Sequence, residues 1–284
     1  MKPYLLPNLQ CAACGGELLH DEQSQCLLCK RCGQAVPAQN GIPLFTLPPS
    51  NLVPSEKLVR GPETGTPWRQ ANWRFLEAQI SRLGPDALLL DVGAGRGDFA
   101  ALFEGRKSLA LDVYPYPEVD LVCDLTQAIP FKAQRFEAIA LMNVMEHVYN
   151  THGLLEALSR LLKPSGMLIV AIPFLVKIHQ APVDFVRYPH FALQRLGEEH
   201  GLEIDQLEGY YDPVFFLGEG IGNLRWSVLP GLRGGKRYLA RLLLAGIQSL
   251  ASALDAALGK GITRSPDKIK SMAPTGYHIV YRKR

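Results

Sequence analysis

From Ala87 onward, short apolar runs alternate with amphipathic stretches, the pattern of strands joined by crossover helices into a mostly parallel sheet. The runs Ala87 to Val92, Ser108 to Asp112, Asp120 to Cys123, Phe136 to Met142 and Met167 to Ile172 predict strands. Asp98 to Phe103 and Gly153 to Leu162 predict helices between them. The second is stopped at Lys163-Pro164-Ser165-Gly166, where Pro cannot continue a helix and Gly can turn. A helix over Trp68 to Leu83 leads in, and a helix over Phe191 to His200, a strand over Glu203 to Tyr210 and a strand over Gly276 to Arg282 complete the α/β pattern.

Residues 213–272 form a helical insertion before the last strand. In it, Leu239, Leu242, Leu243, Gly246, Ile247, Leu250, Leu254 and Leu258 recur at helical spacing and give Arg237 to Leu258 one apolar face. That face is expected to pack on the core. A helix lying on a membrane surface is the alternative, kept open by Arg237, Arg241 and Lys260.

The first 45 residues stand apart, and residues 46–67, rich in proline, read as an extended linker. At 284 residues, 47% hydrophobic and 20% charged, the chain suits two folding units with a real core and lies far from disordered compositions. It shows no leader pattern and no apolar run long enough to span a bilayer, so a cytoplasmic location is expected, with peripheral membrane contact left open. The net charge of +3 hides an asymmetry: residues 223–284 hold 12 Lys/Arg against 2 Asp/Glu. Such a basic tail suits an anionic partner such as RNA or lipid head groups, or is simply solvated surface.

Five of the six cysteines crowd into residues 11–32, and Cys123 sits alone in a predicted strand. Without a secretion signal, that clustering favours metal over disulfides. Cys11-x2-Cys14 and Cys29-x2-Cys32 offer four thiolates for a structural tetrahedral Zn2+, which would supply folding energy to a unit too small for a sufficient core. Cys26-x2-Cys29 is also a knuckle and leaves Cys26 as an alternative ligand.

Leu88-Leu89-Leu90-Asp91-Val92-Gly93-Ala94-Gly95-Arg96-Gly97 is an apolar strand running into a glycine turn, and the segment after it is expected to open a helix with unpaired N–H groups. Dinucleotide folds use G-x-G-x-x-G, whereas the spacing here is G-x-G-x-G. Asp112 ends the next strand near the offset at which an acid meets ribose hydroxyls, and Asp124 follows the third. Further on come Ile129-Pro130-Phe131, Arg135-Phe136-Glu137-Ala138-Ile139, Asn143-Val144-Met145-Glu146-His147-Val148 and Leu162-Lys163-Pro164-Ser165-Gly166-Met167-Leu168.

This series resembles the class I S-adenosylmethionine (SAM)-dependent methyltransferases of the UbiE and BioC type. The resemblance implies an α/β, Rossmann-like seven-stranded sheet with helices on both faces and SAM as cofactor. Asp91, Gly93, Ala94, Gly95 and Gly97 would hold SAM at the turn, Asp112 and Val113 at the ribose, and Asp124 and Leu125 at the adenine, with Asn143 flooring the pocket. Glu137 stands where that family usually has Asp. Leu28 to Gly33 with Val36-Pro37 and Asn40-Gly41-Ile42-Pro43 resembles the zinc-ribbon subunit that activates several tRNA and rRNA methyltransferases.

Pro173 to His190 follows the fifth strand, where ligands of this fold bind. It resembles the P-x-D-[FY]-x-R-[YF] stretch of small-molecule methyltransferases. His179, Asp184 and Tyr188 are candidate acceptor-pocket residues, with His147 as a second candidate base. Three functions remain open on sequence: methyl transfer to a small-molecule or lipid-linked acceptor, RNA methylation by an enzyme of RlmA-like organisation, and a non-catalytic SAM-fold regulator or complex subunit. Neither the acceptor atom nor the oligomeric state is legible.

Overall fold

The computed structural model describes residues 2–284 except 22, 24, 51–60, 62, 63, 211, 212 and 258–273, and the side chains of 213–219, 251, 252 and 254–257 also lie outside the description. Leu254, Leu258 and Lys260, used above for the insertion, are among these. The chain opens with a single helical turn, α1 (Leu5–Asn8), followed by β1 (Leu18–Asp21), β2 (Cys26–Cys29) and β3 (Ala35–Val36) in one antiparallel sheet. A two-stranded ladder of β4 (Ala38–Gln39) and β5 (Ile42–Pro43) follows.

Helix α2 (Pro67–Ile80) starts where Thr66 caps it, its side chain accepting from the Arg69 N–H, and Pro67 fills the first turn, where a missing N–H costs nothing. The main domain then runs β6 (Leu88–Val92), β7 (Lys107–Asp112), β8 (Leu121–Val122), β9 (Phe136–Met142), α3 (Thr151–Leu161), β10 (Leu162–Pro173), α4 (His190–Glu199), β11 (Leu202–Tyr210), α5 (Pro213–Val228), α6 (Gly234–Ala257) and β12 (Gly276–Lys283). The seven-stranded sheet has the order β11-β12-β10-β9-β6-β7-β8. The strands from β10 to β8 are parallel, whereas β12 pairs antiparallel with both β10 and β11.

Alternation along each strand sorts the core into two layers. Ala138, Ala140 and Met142 of β9 join Met167, Ile169 and Ala171 of β10 against Phe75, Leu76 and Ile80 of α2. Ile139 and Leu141, with Leu168, Val170 and Ile172, face Leu154, Leu155, Leu158 and Leu161 of α3 and Leu193 of α4. The N-terminal unit belongs to this second layer: Leu5, Leu9, Leu18 and Leu27 share one core with Leu121, Phe131 and Phe136. Polar contacts fasten it further. The Lys2 ammonium meets the Asp120 carboxylate at 2.8 Å, and the Phe45 N–H donates to the Val122 carbonyl at 2.9 Å beside a parallel bridge from Leu44 to Val122.

Three expectations are corrected. Asp98 to Phe103 is not an α-helix: only a 3-10 turn, Ala100–Phe103, forms there. Gly97 at φ +77° and Gly105 at φ +74° bracket it, leaving too few residues between two left-handed positions to propagate an α-helix. Lys163 to Gly166 does not separate helix from strand. β10 begins at Leu162, and the pairing with β9 shifts register between Leu162 and Met167 as a bulge, with Ser165 at φ +61°.

The third correction concerns the insertion. Over its described residues the apolar face does not pack on the core: Leu239, Leu242, Leu243, Ile247 and Leu250 are each at least half exposed, between 50% and 63%, and Trp226 of α5 is 83% exposed. Periodicity reported that one face was apolar, but not what covers it. No described helix is long and apolar enough to cross a membrane.

Candidate functional site

In the N-terminal unit the four predicted cysteines converge. Cys11 and Cys32 Sγ lie 3.7 Å apart, and Cys14 and Cys29 Sγ lie 3.5 Å apart. Thiolates around a tetrahedral zinc at ~2.3 Å are spaced by about 3.8 Å, so the four cysteines are placed to bind a zinc ion. Gly16 is part of the cradle, because a Cβ there would come within 2.9 Å of Cys29 Sγ and 3.2 Å of Cys14 Sγ. The backbone N–H groups of Cys32 and then Arg31 hold the Cys29 thiol down to about 6, while Cys14, against the pull of the Gly16 N–H, is pushed up to about 12 by burial and the neighbouring thiols, so the two titrate as a pair. Cys26 stands outside the cluster, at the far end of β2. Cys123 is buried and its Sγ donates to the Ala128 carbonyl at 3.3 Å.

The glycine turn sits at the carboxyl end of β6, where ligands of parallel sheets bind. Gly93 at φ +72° carries the chain over Val144; a Cβ there would lie 2.3 Å from Val144 Cγ2. The N–H groups of Gly93 and Ala94 both donate to the Leu111 carbonyl, and Gly97 N–H donates to Ala94. The expectation of a helix start with free N–H groups therefore fails with the helix itself. Asp112, at the end of β7, accepts from the Gly95 N–H at 2.9 Å through Oδ2 and from the Tyr114 N–H at 3.0 Å through Oδ1. Burial raises its pKa against the pull of the Gly95, Tyr114 and Val113 N–H groups. Asp91 is buried at the end of β6, and burial, then Asp112 and Asp98, push its carboxyl up to about 7.

Asp124 is already engaged. Its Oδ1 accepts from the N–H and hydroxyl of Thr126, its Oδ2 accepts from the Gln127 amide, and its own N–H donates to Thr46 Oγ1 at 2.9 Å. Leu125 beside it is buried core. Asn143 adopts φ +55° just after β9, and its Oδ1 accepts from Trp68 Nε1 at 3.2 Å. Glu137, the departure from the family pattern, is structural: its Oε2 accepts the Leu88 N–H at 2.8 Å and Oε1 pairs with Lys163.

Two residues of α2 that sequence reasoning did not single out brace this site. Arg69 donates to the Asp98 carbonyl at 2.5 Å and packs over Trp73 and Phe99, at 5.3 and 5.4 Å from their centroids. Trp68 stacks on His278, with centroids 5.2 Å apart and planes at 10°. A Thr66-Pro67 helix start ahead of aromatic and basic residues was the only signal for them.

The acceptor-side candidates separate. Asp184, 1% exposed, is gripped by the Arg187 guanidinium at 2.5 Å and accepts from the His179 N–H at 2.8 Å. Arg187 above all holds its carboxyl down to about 2, so it stays ionised and orients its neighbours. Tyr188 donates its hydroxyl to Thr151 Oγ1 at 3.1 Å at the start of α3, which makes it an anchor for that helix. His147 and His179 do come together, in a T-shaped pair with centroids 4.9 Å apart and planes at 77°. Between them lies Glu146, quoted in the motif yet not singled out from sequence. It is fully buried, and neither of its carboxylate oxygens has a hydrogen-bond partner.

A seven-stranded sheet with its one reversed strand second from an edge, a glycine turn after β6 and an acid after β7 define a class I, Rossmann-like methyltransferase domain. Residues 68–207 match the family described as "Methyltransferase domain". The chain also belongs, over 45 residues, to the family of a UPF0434 protein from Hahella chejuensis (strain KCTC 2396): the two are 43% identical over 16% of this chain and 75% of that relative. Among solved structures, it is similar to a SAM-dependent methyltransferase from Archaeoglobus fulgidus (16% identity, TM-score 0.45, 74% of this chain and 94% of that one). It is also similar to the 1,6-didemethyltoxoflavin-N1-methyltransferase of Burkholderia thailandensis with S-adenosylhomocysteine bound (13% identity, TM-score 0.46, 76% and 78%). A third likeness is to a chain from the complex of the Haloferax volcanii Trm112 methyltransferase activator with a methyltransferase (18% identity, TM-score 0.42, 51% and 78%).

Proposed function

We propose that the chain transfers the methyl group of SAM to a small, lipid-linked acceptor bound beside His147 and His179. The observation that carries the cofactor reading is the contact between Asp112 and the Gly95 N–H at the ends of β7 and β6. It fixes a buried carboxylate beside a backbone turn lacking side chains at 93, 95 and 97, a cradle that suits a nucleoside bearing an amino acid. SAM supplies an electrophilic methyl group. Gly95, with open space where a Cβ would stand, leaves room beside Ala94 for its amino-acid end, Gly93 and Gly97 let the turn close on Val144 and on Ala100 and Glu118, and Asp91 lies buried beneath them. Asp112 and Val113 lie at the ribose position, where Asp112 retains lone pairs for hydroxyl donors. Asn143, fixed by Trp68, forms the floor. Asp124 and Leu125 are assigned to the adenine side, Asp124 after release of one of its present partners.

The exposed insertion supports the lipid-linked acceptor. From Gly220 to Leu250 there are five basic residues, Arg225, Arg233, Lys236, Arg237 and Arg241, and no acidic one, beside an apolar face in water. Apolar insertion with basic flanks matches an anionic bilayer surface, where a lipid-linked substrate resides. The same basic side chains also suit RNA, which the test therefore includes.

Calorimetry with S-adenosylhomocysteine tests the cofactor. Saturable binding weakened by Asp112→Ala supports it, and no binding by the folded, zinc-loaded chain overturns the enzymatic reading in favour of a scaffold. Flotation with vesicles of mixed neutral and anionic lipid tests the surface: binding lost in Leu243→Glu/Ile247→Glu supports it. Salt-sensitive binding to RNA without vesicle binding overturns the lipid reading.

A further inference from the structure

The cluster at the carboxyl end of β9 has the construction of a metal site distinct from the four cysteines. Glu146 and His147 lie in the 3-10 turn Met145–His147 that follows Asn143 and Val144, and His179 enters from the segment after β10. The Nε2 atoms of His147 and His179 each lie 3.7 Å from the same oxygen, Glu146 Oε1. That is too long for a hydrogen bond, whose heavy-atom distance is about 2.7–3.2 Å. It is close to the roughly 3.3 Å edge of a tetrahedron of nitrogen and oxygen ligands placed ~2.0–2.1 Å from one ion. All three ligand atoms fall within 4.8 Å of one another.

The outer contacts of both imidazoles point the same way. His147 Nδ1 lies 2.6 Å from the Val183 carbonyl, which fixes the proton on Nδ1 and leaves the Nε2 lone pair directed inward. His179 Nδ1 lies 3.2 Å from Asp184 Oδ2, and Asp184 is itself clamped by Arg187. A carboxylate or carbonyl behind each ligating histidine is the arrangement that orients metal ligands. Glu146 supplies the independent argument. A carboxylate with 0% exposure, no hydrogen bond to either oxygen and both imidazole Nε2 atoms 3.7 Å from Oε1 carries a large desolvation cost that positive charge must offset, and a metal cation between the three groups supplies it without requiring an imidazolium.

We propose that Glu146, His147 and His179 bind one divalent first-row transition-metal ion, such as Zn2+ or Mn2+, with Asp184 and the Val183 carbonyl as the outer shell that orients the histidines. Two nitrogens and one carboxylate leave further coordination positions open, and His179 keeps a third of its side chain exposed. The open positions select acceptors that present an oxygen donor. This last clause rests on the methyl-transfer reading, whereas occupancy of the site does not. Val144, packed under Gly93, joins this turn to the cofactor turn, so the ion and the cofactor cradle are neighbours.

The test uses the full chain, stripped of metal and reloaded with Co2+, with metal counted by mass spectrometry. The wild type is expected to hold two ions per chain, one showing thiolate-to-cobalt charge transfer and one showing only weak ligand-field bands. Glu146→Gln and His179→Ala are each expected to hold one ion and keep the charge-transfer band; Cys14→Ser weakens that band and keeps the other spectrum. Excess Zn2+ raises the melting temperature of the wild type beyond that of the ribbon-loaded chain, and does not do so for Glu146→Gln. A single ion in the wild type, or two ions retained by both Glu146→Gln and His179→Ala, overturns the proposal. S-adenosylhomocysteine titrations on the same samples separate that failure from failure of the cofactor reading, since either can fail with the other intact.

Discussion

Replacing Gly93 by alanine tests whether the glycine turn and the segment after β9 are built against each other. The added Cβ meets two separate penalties. The first is conformational: at φ +72° an L side chain costs about 1–2 kcal/mol. The second is steric. The Cβ would stand 2.3 Å from Val144 Cγ2, where carbon atoms ordinarily sit about 3.5–4.0 Å apart, and overpacking of this kind costs about 1–3 kcal/mol. Together Gly93→Ala is expected to destabilise by roughly 2–5 kcal/mol. In a Val144→Ala background the clash with the γ carbons is gone and only a tight 3.3 Å contact with Cβ is left beside the conformational part, so the same change is expected to cost about 1–2 kcal/mol. Denaturant unfolding of wild type, both single variants and the double variant yields the coupling, expected at about 1–3 kcal/mol. Equal cost of Gly93→Ala in the two backgrounds, within ~0.5 kcal/mol, refutes the contact. Calorimetry on the four proteins then reads the function: Gly93→Ala weakens S-adenosylhomocysteine, and the double variant recovers part of the loss.

Three further outcomes follow from the geometry. Asp184→Asn is expected to lose about 2 kcal/mol at pH 7, because Arg187 above all holds the native carboxyl at about 2 against 3.8. A depressed acid stabilises above its unfolded pKa, so the gap between variant and wild type should close in unfolding curves as pH falls from about 4 through 2; a gap unchanged by acid refutes the ion pair. Asp91, raised to about 7 by burial and then by Asp112 and Asp98, has the opposite sign: it erodes stability as pH rises from about 4 to 7, and Asp91→Asn should flatten that slope. Chelation of the ribbon metal, or Cys14→Ser, should lower amide exchange protection at Leu9, Phe131 and Val122 as well as around the cysteines, since the ribbon shares their core; loss confined to residues 11–32 would contradict that coupling.

The parts of the fold legible in the sequence are those whose signal is local. Apolar runs located every strand of the large sheet to within two residues at each end except the start of β10, and the glycine turn was read residue by residue. The bulge at Lys163 to Gly166 escaped because Pro and Gly mark a break in the chain without saying that the strand resumes in register beyond it. The zinc knuckles were legible from spacing, and the choice of Cys29 with Cys32 over Cys26 with Cys29 from the resemblance of Leu28 to Gly33 to a zinc-ribbon subunit. Long-range packing was not. Asp124 reads as a free acid until Thr46 and Gln127 are placed on it, and Tyr188 as a pocket residue until its hydroxyl finds Thr151. Glu146 stood in plain view in the motif, but only burial without a partner sets it apart from any other acid.

The insertion leaves β11 at Tyr210 and returns to β12 at Gly276, and these two residues are opposite one another in the ladder. The Thr275 N–H donates to the Tyr210 carbonyl at 2.8 Å, closing the neck. Topologically the whole appendage is therefore an oversized hairpin loop, and the sheet does not register its length. Replacing residues 211–274 by a short turn while keeping Thr275 would shorten a closed loop, a change that favours closure entropically and leaves the register intact. The appendage thus meets the sheet through one closed neck, and its excision there is expected to leave the β11–β12 ladder in register.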